Sequence, residues 1–289
     1  MGRIALQRLL ALSLLGCLSA HAASPVWAVR GVHHTVYLAG SVHLLPAADA
    51  ALPRGFEHAY ADSARLVMEL DLSKLDPLQA ASWMSAHGAL APDATLRGVL
   101  GEPRYTRVSA AAAELGVPLE LLEQQAPWVI GIELADVEYL HLGFDPERGV
   151  EQQLLQRAQR DGKPISGLET LDEELGALEA LSAADQLKLL DQTLGELKDT
   201  DSAMHEVLGA WRRGDARGLA TLLGHEYQSF PALYRPLVTT RNQRWLPQIE
   251  ALLAAEGNVL VVVGALHLVG DGGVLELLRR DGHPATQLE

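Results

Sequence analysis

The chain has one cysteine in 289 residues, Cys17, and it lies in the opening segment. A domain built from the remainder can hold no disulfide, no thiolate metal ligand and no cysteine nucleophile. Positive charge is scarce as well. With 23 Lys and Arg against 37 Asp and Glu, the formal net charge is −14. Such a balance disfavours nucleic acid, whose phosphates need Lys and Arg, and equally disfavours anionic lipid. Aromatic residues make up only 5% of the chain, so the core must rest on Leu, Val and Ala. Beyond the opening segment no apolar run reaches the ~20 residues of a membrane-spanning helix. A P-loop, a Gly-x-Gly-x-x-Gly after a strand, a Gly-x-Ser-x-Gly elbow and a His-Glu-x-x-His helix are all missing. No nucleic acid partner and no transmembrane helix are expected.

The first segment that is present is a leader. "MGRIALQRLLALSLLGCLSAHAAS" opens with Arg3 and Arg8, turns apolar from Leu9, and ends in Ala20-His21-Ala22. This reads as a secretory signal peptide over residues 1–22. Cleavage after Ala22 removes two arginines and no acid, which leaves a charge of −16. The expected location is the periplasm or the medium. Leu14-Leu15-Gly16-Cys17 offers an alternative, a lipoprotein with its lipid anchor at Cys17.

Residues 23–289 read as one α/β domain: a central mixed β-sheet flanked by helices, with inserted helical layers at about 73–142 and 171–255. "VWAVRGVHHTVYLAGSVHLL" predicts a hairpin that turns at Arg30–His34, and "ARLVMELDL" (64–72) a third strand. In "DPERGVEQQLLQRAQRDGK" Asp145 is expected to cap a helix, with Pro146 at its first position and Gly162 at its end. "KPISGLET" is a short strand ending near Glu169, and Thr170 with Glu173 forms a capping box for the next helix. "NVLVVVGALHLVG" is expected to be the last buried strand and "GGVLELLRRDGH" the last helix. This alternation of strands and helices is the α/β pattern.

Gly-x-x-His occurs four times, ending at His34, His43, His58 and His267. Roughly one occurrence is expected by chance, so the bare pattern is weak. Two copies, "AGSVHLL" and "VGALHLV", follow a buried-looking strand and precede Leu. In open α/β sheets ligands bind beyond the carboxyl ends of parallel strands, where glycine permits sharp turns and close backbone approach. His43 and His267 could meet there and bind a metal. They could equally be satisfied within tight turns. Glu69 lies in an otherwise apolar strand, where a lone carboxylate is costly unless it is paired or binds metal. Two His and one carboxylate suit a divalent ion with open positions for water; a salt bridge is the alternative for Glu69. Asp71, two residues on, reads as a partner on the same strand face or as a cap. Glu169 could enter the same crevice from its strand end. Arg241 and Asn242 open a helix, where they could orient a carboxylate or bind an anion, or simply be solvated.

Taken in order, "VYLAGSVHLLP", "RLVMELD", "GFDPERGVEQQLLQRAQRDGKPISGLETLDEEL", "RNQRW" and "VVVGALHLVGDGGVLELLRRDGH" resemble the TraB/GumN family, which is related to the Tiki proteases. These segments are spread from residue 36 to residue 283, and the paired Gly-x-x-His motifs are the family's signature. The resemblance implies a Tiki-like α/β fold and a metal-dependent hydrolase of the metalloprotease type. It implies a divalent metal ion, Mn²⁺ or Co²⁺ with Zn²⁺ as a further candidate, on His43, Glu69 and His267. Glu69, Glu169, Arg241 and Asn242 would be the catalytic residues, and a peptide or another small molecule the substrate. More distant relatives bind haem. The alternative function is therefore a non-catalytic periplasmic protein that sequesters a peptide, haem or another ligand in the same crevice.

Overall fold

The structure, a computed structural model, describes residues 23–289. The expected signal peptide at residues 1–22, with Cys17, lies outside the described residues.

Strands β1 (Val26–Arg30) and β2 (Thr35–Ser41) form the expected antiparallel hairpin, with Val29 opposite Val36. Strand β3 (Leu45–Pro46) and helix α1 (Arg54–Asp62) lead to β4 (Arg65–Leu70). Four helices follow: α2 (Pro77–His87), α3 (Leu96–Leu100), α4 (Glu102–Leu115) and α5 (Pro127–His141). Strand β5 (Phe144–Asp145) pairs with β3 in a small separate sheet. Helix α6 (Val150–Asp161) then precedes β6 (Ile165–Glu169). A second helical run comprises α7 (Leu171–Glu179), α8 (Ala183–Glu196), α9 (Thr200–Arg212), α10 (Ala216–Ser229), α11 (Pro231–Tyr234) and α12 (Thr240–Ala254). The chain ends with β7 (Val259–Gly264), the single turn α13 (Ala265–Leu268), α14 (Val274–Arg280) and β8 (Ala285–Gln287).

The main sheet runs β6-β4-β7-β2-β1-β8. Its first four strands are parallel, while β1 and β8 are antiparallel additions, so the sheet is mixed. Parallel strands covered on both faces need near-continuous apolar runs. "VLVVV" in β7 and "VYLA" in β2 supply them, and every one of those residues is buried. Because β2, β4, β6 and β7 are parallel, their carboxyl ends share one edge of the sheet. The helices between β4 and β6 and after β6 also build a smaller core of their own from Leu96, Leu100, Val108, Ile130, Leu134 and Leu190. Arg104 ties that core together by a paired contact to Asp191, at 3.0 and 2.9 Å.

Three local expectations are corrected. Asp145 caps a short 3₁₀ turn, Pro146–Arg148, and α6 proper starts only at Val150 behind Gly149. Gly162 ends that helix in the left-handed conformation, as anticipated. Beyond the last helix the chain adds β8, too short and too polar to stand out in the sequence. The last buried strand ends at Gly264, and His267, expected within that strand segment, sits on a helical turn. The capping box of Thr170 with Glu173 is present in full.

Candidate functional site

Four of the six candidate residues reach the shared edge directly from the ends of the parallel strands. Glu69 is the penultimate residue of β4 and Glu169 the last of β6. His43 lies two residues past β2, and His267 three past β7. Arg241 and Asn242 come from the first turn of α12, preceded by a π-helical segment, Arg235–Thr239, that contains Pro236. Proline has no N–H to give a regular helix, and such widened turns recur at functional sites. Far from being solvated, Arg241 and Asn242 are buried.

Arg241 is the hub. Its Nη2 donates to Glu69 Oε2 and to Glu169 Oε1, each at 2.5 Å, and Nε donates to Glu169 Oε1 at 2.9 Å. Glu174 Oε1 lies 3.6 Å from the same guanidinium. The second oxygen of Glu169 accepts from Trp245 Nε1 and Arg244 Nη2, both at 3.2 Å. Glu69 Oε1 accepts from the N–H of Gly264 at 2.6 Å, which joins the carboxylate to the glycine of the second motif.

Asn242 sets the state of His267. Its Nδ2 donates to the carbonyls of His267 and Gly272, at 3.1 and 3.0 Å, so its Oδ1 is the atom left to face the imidazole. His267 Nδ1 therefore carries a proton and donates it to Oδ1 at 2.7 Å. Nε2 is left as an acceptor, 3.3 Å from Arg241 Nη1. Burial lowers the imidazole to about 4, so the ring is neutral near pH 7.

His43 has different surroundings. Its side chain is 67% exposed, and Nδ1 lies 2.9 Å from Glu151 Oε1. That carboxylate holds the imidazole above its ordinary range, although water at so open a position screens the pair. Ser41 Oγ donates to the same oxygen of Glu151, and Glu151 Oε2 is buried without a partner.

The carboxylates respond to this crowding. Burial pushes Glu69 up, but nearby positive charge and the Gly264 N–H outweigh it and leave it below its usual value. Because His267 is neutral near pH 7, Arg241 is the main cation that keeps Glu69 ionised there. Burial and Glu69 together raise Glu174 to about 7. Beside these groups a pocket of about 210 Å³ is lined by His43, Glu69, Glu151 and Glu174 together with Met68 and Leu72.

The expected donors His43, Glu69 and His267 are joined here by further acids. Among the described residues, one carboxylate oxygen from each of Glu69, Glu169 and Glu174 lies within 4.8 Å of the other two. Glu151 engages His43, while Asn242 and Arg241 engage His267. The chemistry of the set still fits a divalent cation: several carboxylate oxygens, an imidazole held neutral, a carboxylate oxygen of Glu151 with no partner, and one guanidinium shared among three acids. Asp71 turns away, accepting from Lys74 and Ser73 at the surface.

Glu151, Glu174 and Ser41 were not anticipated. Both acids sit in the first turn or two of a helix, where negative charge is ordinary. No spacing singles them out. Ser41 stands inside a motif but at one of its variable positions.

The uncharacterized protein YbaP of Escherichia coli (strain K12) is 26% identical over 269 residues, covering 88% of this chain and 97% of YbaP. The Shigella flexneri YbaP matches to the same extent. An uncharacterized protein of Treponema pallidum (strain Nichols) is 22% identical over 285 residues, 92% of this chain and 83% of that protein. No solved structure matches. The profile of the TraB/PrgY/gumN family spans residues 25–287, the whole sheet included, and the chain belongs to that family.

Proposed function

We propose that this protein is an exported metal-dependent hydrolase that acts on peptides. The reading is supported by one observation above all: ionisable side chains from the ends of four adjacent parallel strands converge beside a small pocket. His43, Glu69 and His267 would hold the ion, with Glu169 and Glu174 supplying further oxygens. A divalent metal in such a site polarises a carbonyl and lowers the pKa of water. Mn²⁺ and Co²⁺ are the preferred ions, by resemblance to the Tiki proteases, with Zn²⁺ as an alternative.

The chain's own groups have distinct tasks in this proposal. Arg241 fixes the carboxylates of Glu69 and Glu169 and offers positive charge to a developing oxyanion. Asn242 keeps the Nε2 lone pair of His267 available. Glu174, raised to about 7 in the pocket wall, can take a proton from a nucleophile near neutral pH. Proposed alongside are a single α/β domain over residues 23–289, with helical insertions at about 73–142 and 171–255, and export by cleavage after Ala22 or by lipidation at Cys17. Among the described residues no helix is long and apolar enough to cross a membrane.

A second reading, ligand sequestration without turnover, is favoured by Arg241, which already neutralises two of the acids. Haem is a poor candidate for it, because about 210 Å³ is below the ~300–1,000 Å³ of pockets for drug-sized ligands. Metal analysis of the purified protein, followed by peptide cleavage with and without chelator, separates the two readings. Turnover should require the metal and disappear in His43→Ala and His267→Ala. Hydrolysis that persists in His43→Ala rejects the hydrolase mechanism. Peptide capture without cleavage selects the second reading.

A further inference from the structure

The start of α6 is docked on the backbone that carries His43. The Val150 N–H donates to the Val42 carbonyl at 3.1 Å. Gly149 lies so close that a Cβ there would sit 2.1 Å from the His43 carbonyl oxygen. Only glycine allows this approach. It brings the next acid, Glu151, onto His43 Nδ1 at 2.9 Å and onto the hydroxyl of Ser41, one residue past the motif glycine. Two hydrogen bonds, an ion pair and a close backbone contact thus converge on one motif loop.

The other motif has the same arrangement with different chemistry. There Oδ1 of Asn242, also from the first turn of a helix, accepts a hydrogen bond from His267 Nδ1. Each Gly-x-x-His loop thus has its own helix-borne acceptor aimed at Nδ1. One acceptor is an anion and the other an amide.

We propose that Glu151 is the positioning residue of His43: it fixes the ring with the proton on Nδ1 and leaves Nε2 as the nitrogen that binds. A carboxylate on the far nitrogen of a ligating imidazole sets the tautomer and raises ligand basicity, and its loss costs about 10–100-fold in metal affinity. The amide at His267 orients the ring without adding negative charge. The two imidazoles are therefore unequal ligands, with His43 the stronger donor.

Two measurements test this on the full purified chain. Long-range ¹H–¹⁵N spectra of the metal-free protein report which ring nitrogen of His43 holds the proton. Nδ1 is expected to keep it, and Nε2 to be the nitrogen that gives its proton up. The dissociation constant for Mn²⁺ alone should rise about 10–100-fold in Glu151→Ala. Glu151→Gln, which keeps an acceptor oxygen but not the charge, should recover only part of that loss. A merely structural contact would change the thermal midpoint and neither of these. A bare Nδ1 in the wild-type protein overturns the proposal, as does a Glu151→Ala protein that binds Mn²⁺ within twofold of wild type. The affinity arm rests on the metal-dependent reading. If the wild type takes up no Mn²⁺, that reading fails, and the ring-nitrogen spectrum alone decides the role of Glu151. The same spectrum decides if Glu151→Ala does not fold.

Discussion

The two ends of β2 and β7 carry the same five-residue pattern and put it to different use. At β7 the histidine is 8% exposed, tied to an amide and kept neutral. At β2 the histidine side chain is 67% exposed and tied to a carboxylate. The glycines differ too. Neither adopts a positive φ, so the dihedral freedom expected of them is not what the fold uses. A Cβ on Gly40 would lie 3.0 Å from Ala265 Cα and 3.1 Å from its Cβ, because β2 runs hard against α13. A Cβ on Gly264 would meet nothing nearer than 3.4 Å. Like motifs therefore mark like positions on the sheet, while the helix packed against each one sets the chemistry.

The largest expected effect tests the buried end. Arg241→Met leaves Glu69 and Glu169 without their shared cation and should cost about 3–5 kcal/mol in urea unfolding. Arg244→Ala, at the half-exposed rim, should cost under about 1 kcal/mol. Equal losses would mean that the guanidinium of Arg241 is not the hub.

The pH dependence of the metal-free protein should separate the histidines next. His267 is depressed to about 4 by burial, whereas in the unfolded chain it titrates near 6.5. Between these values the unfolded state binds the extra proton. Stability from this group is therefore present above about 6.5 and lost as pH falls towards 4, by on the order of 3 kcal/mol. His267→Gln should flatten that limb. His43 has the opposite sign: its folded value is raised, so its contribution is present below about 6.5 and fades as pH climbs through about 10. Exposure to solvent should hold that change under about 1 kcal/mol. Denaturant midpoints across the pH range read both limbs.

The glycines give the finest comparison. Gly40→Ala should destabilise by about 1–3 kcal/mol through overpacking, and Gly264→Ala by distinctly less. A reversed order in thermal midpoints would break the assignment of Gly40 to close packing.

What the sequence could locate was position, and what it could not locate was partnership. The apolar runs of β2, β4 and β7 leave little choice for a buried strand, so the sequence alone places Glu69, His43 and His267 in or just beyond strands. The partners come from helices, whose amphipathic period hides which acid faces inward. Glu151 and Glu174 look like ordinary first-turn acids until α6 and α7 are docked. Gly149 was an available clue, since a glycine just before a helix allows close approach, but nothing in the sequence says what it approaches. Strand β8 escaped notice because three half-exposed residues form a strand only when β1 offers an edge.

The position of β7 bears on how the molecule comes to exist. It is wedged between β2 and β4, which never bond to each other, although both are synthesised some two hundred residues earlier. Until residues 259–264 emerge, two apolar strands present open flanks, an arrangement prone to mispairing, and closing it requires contacts of very long range, which form slowly. The same stretch delivers His267 and the amide that grips Glu69. A nascent or truncated chain thus carries the first imidazole without the second, and the pocket can acquire its full complement only in the final moments of folding.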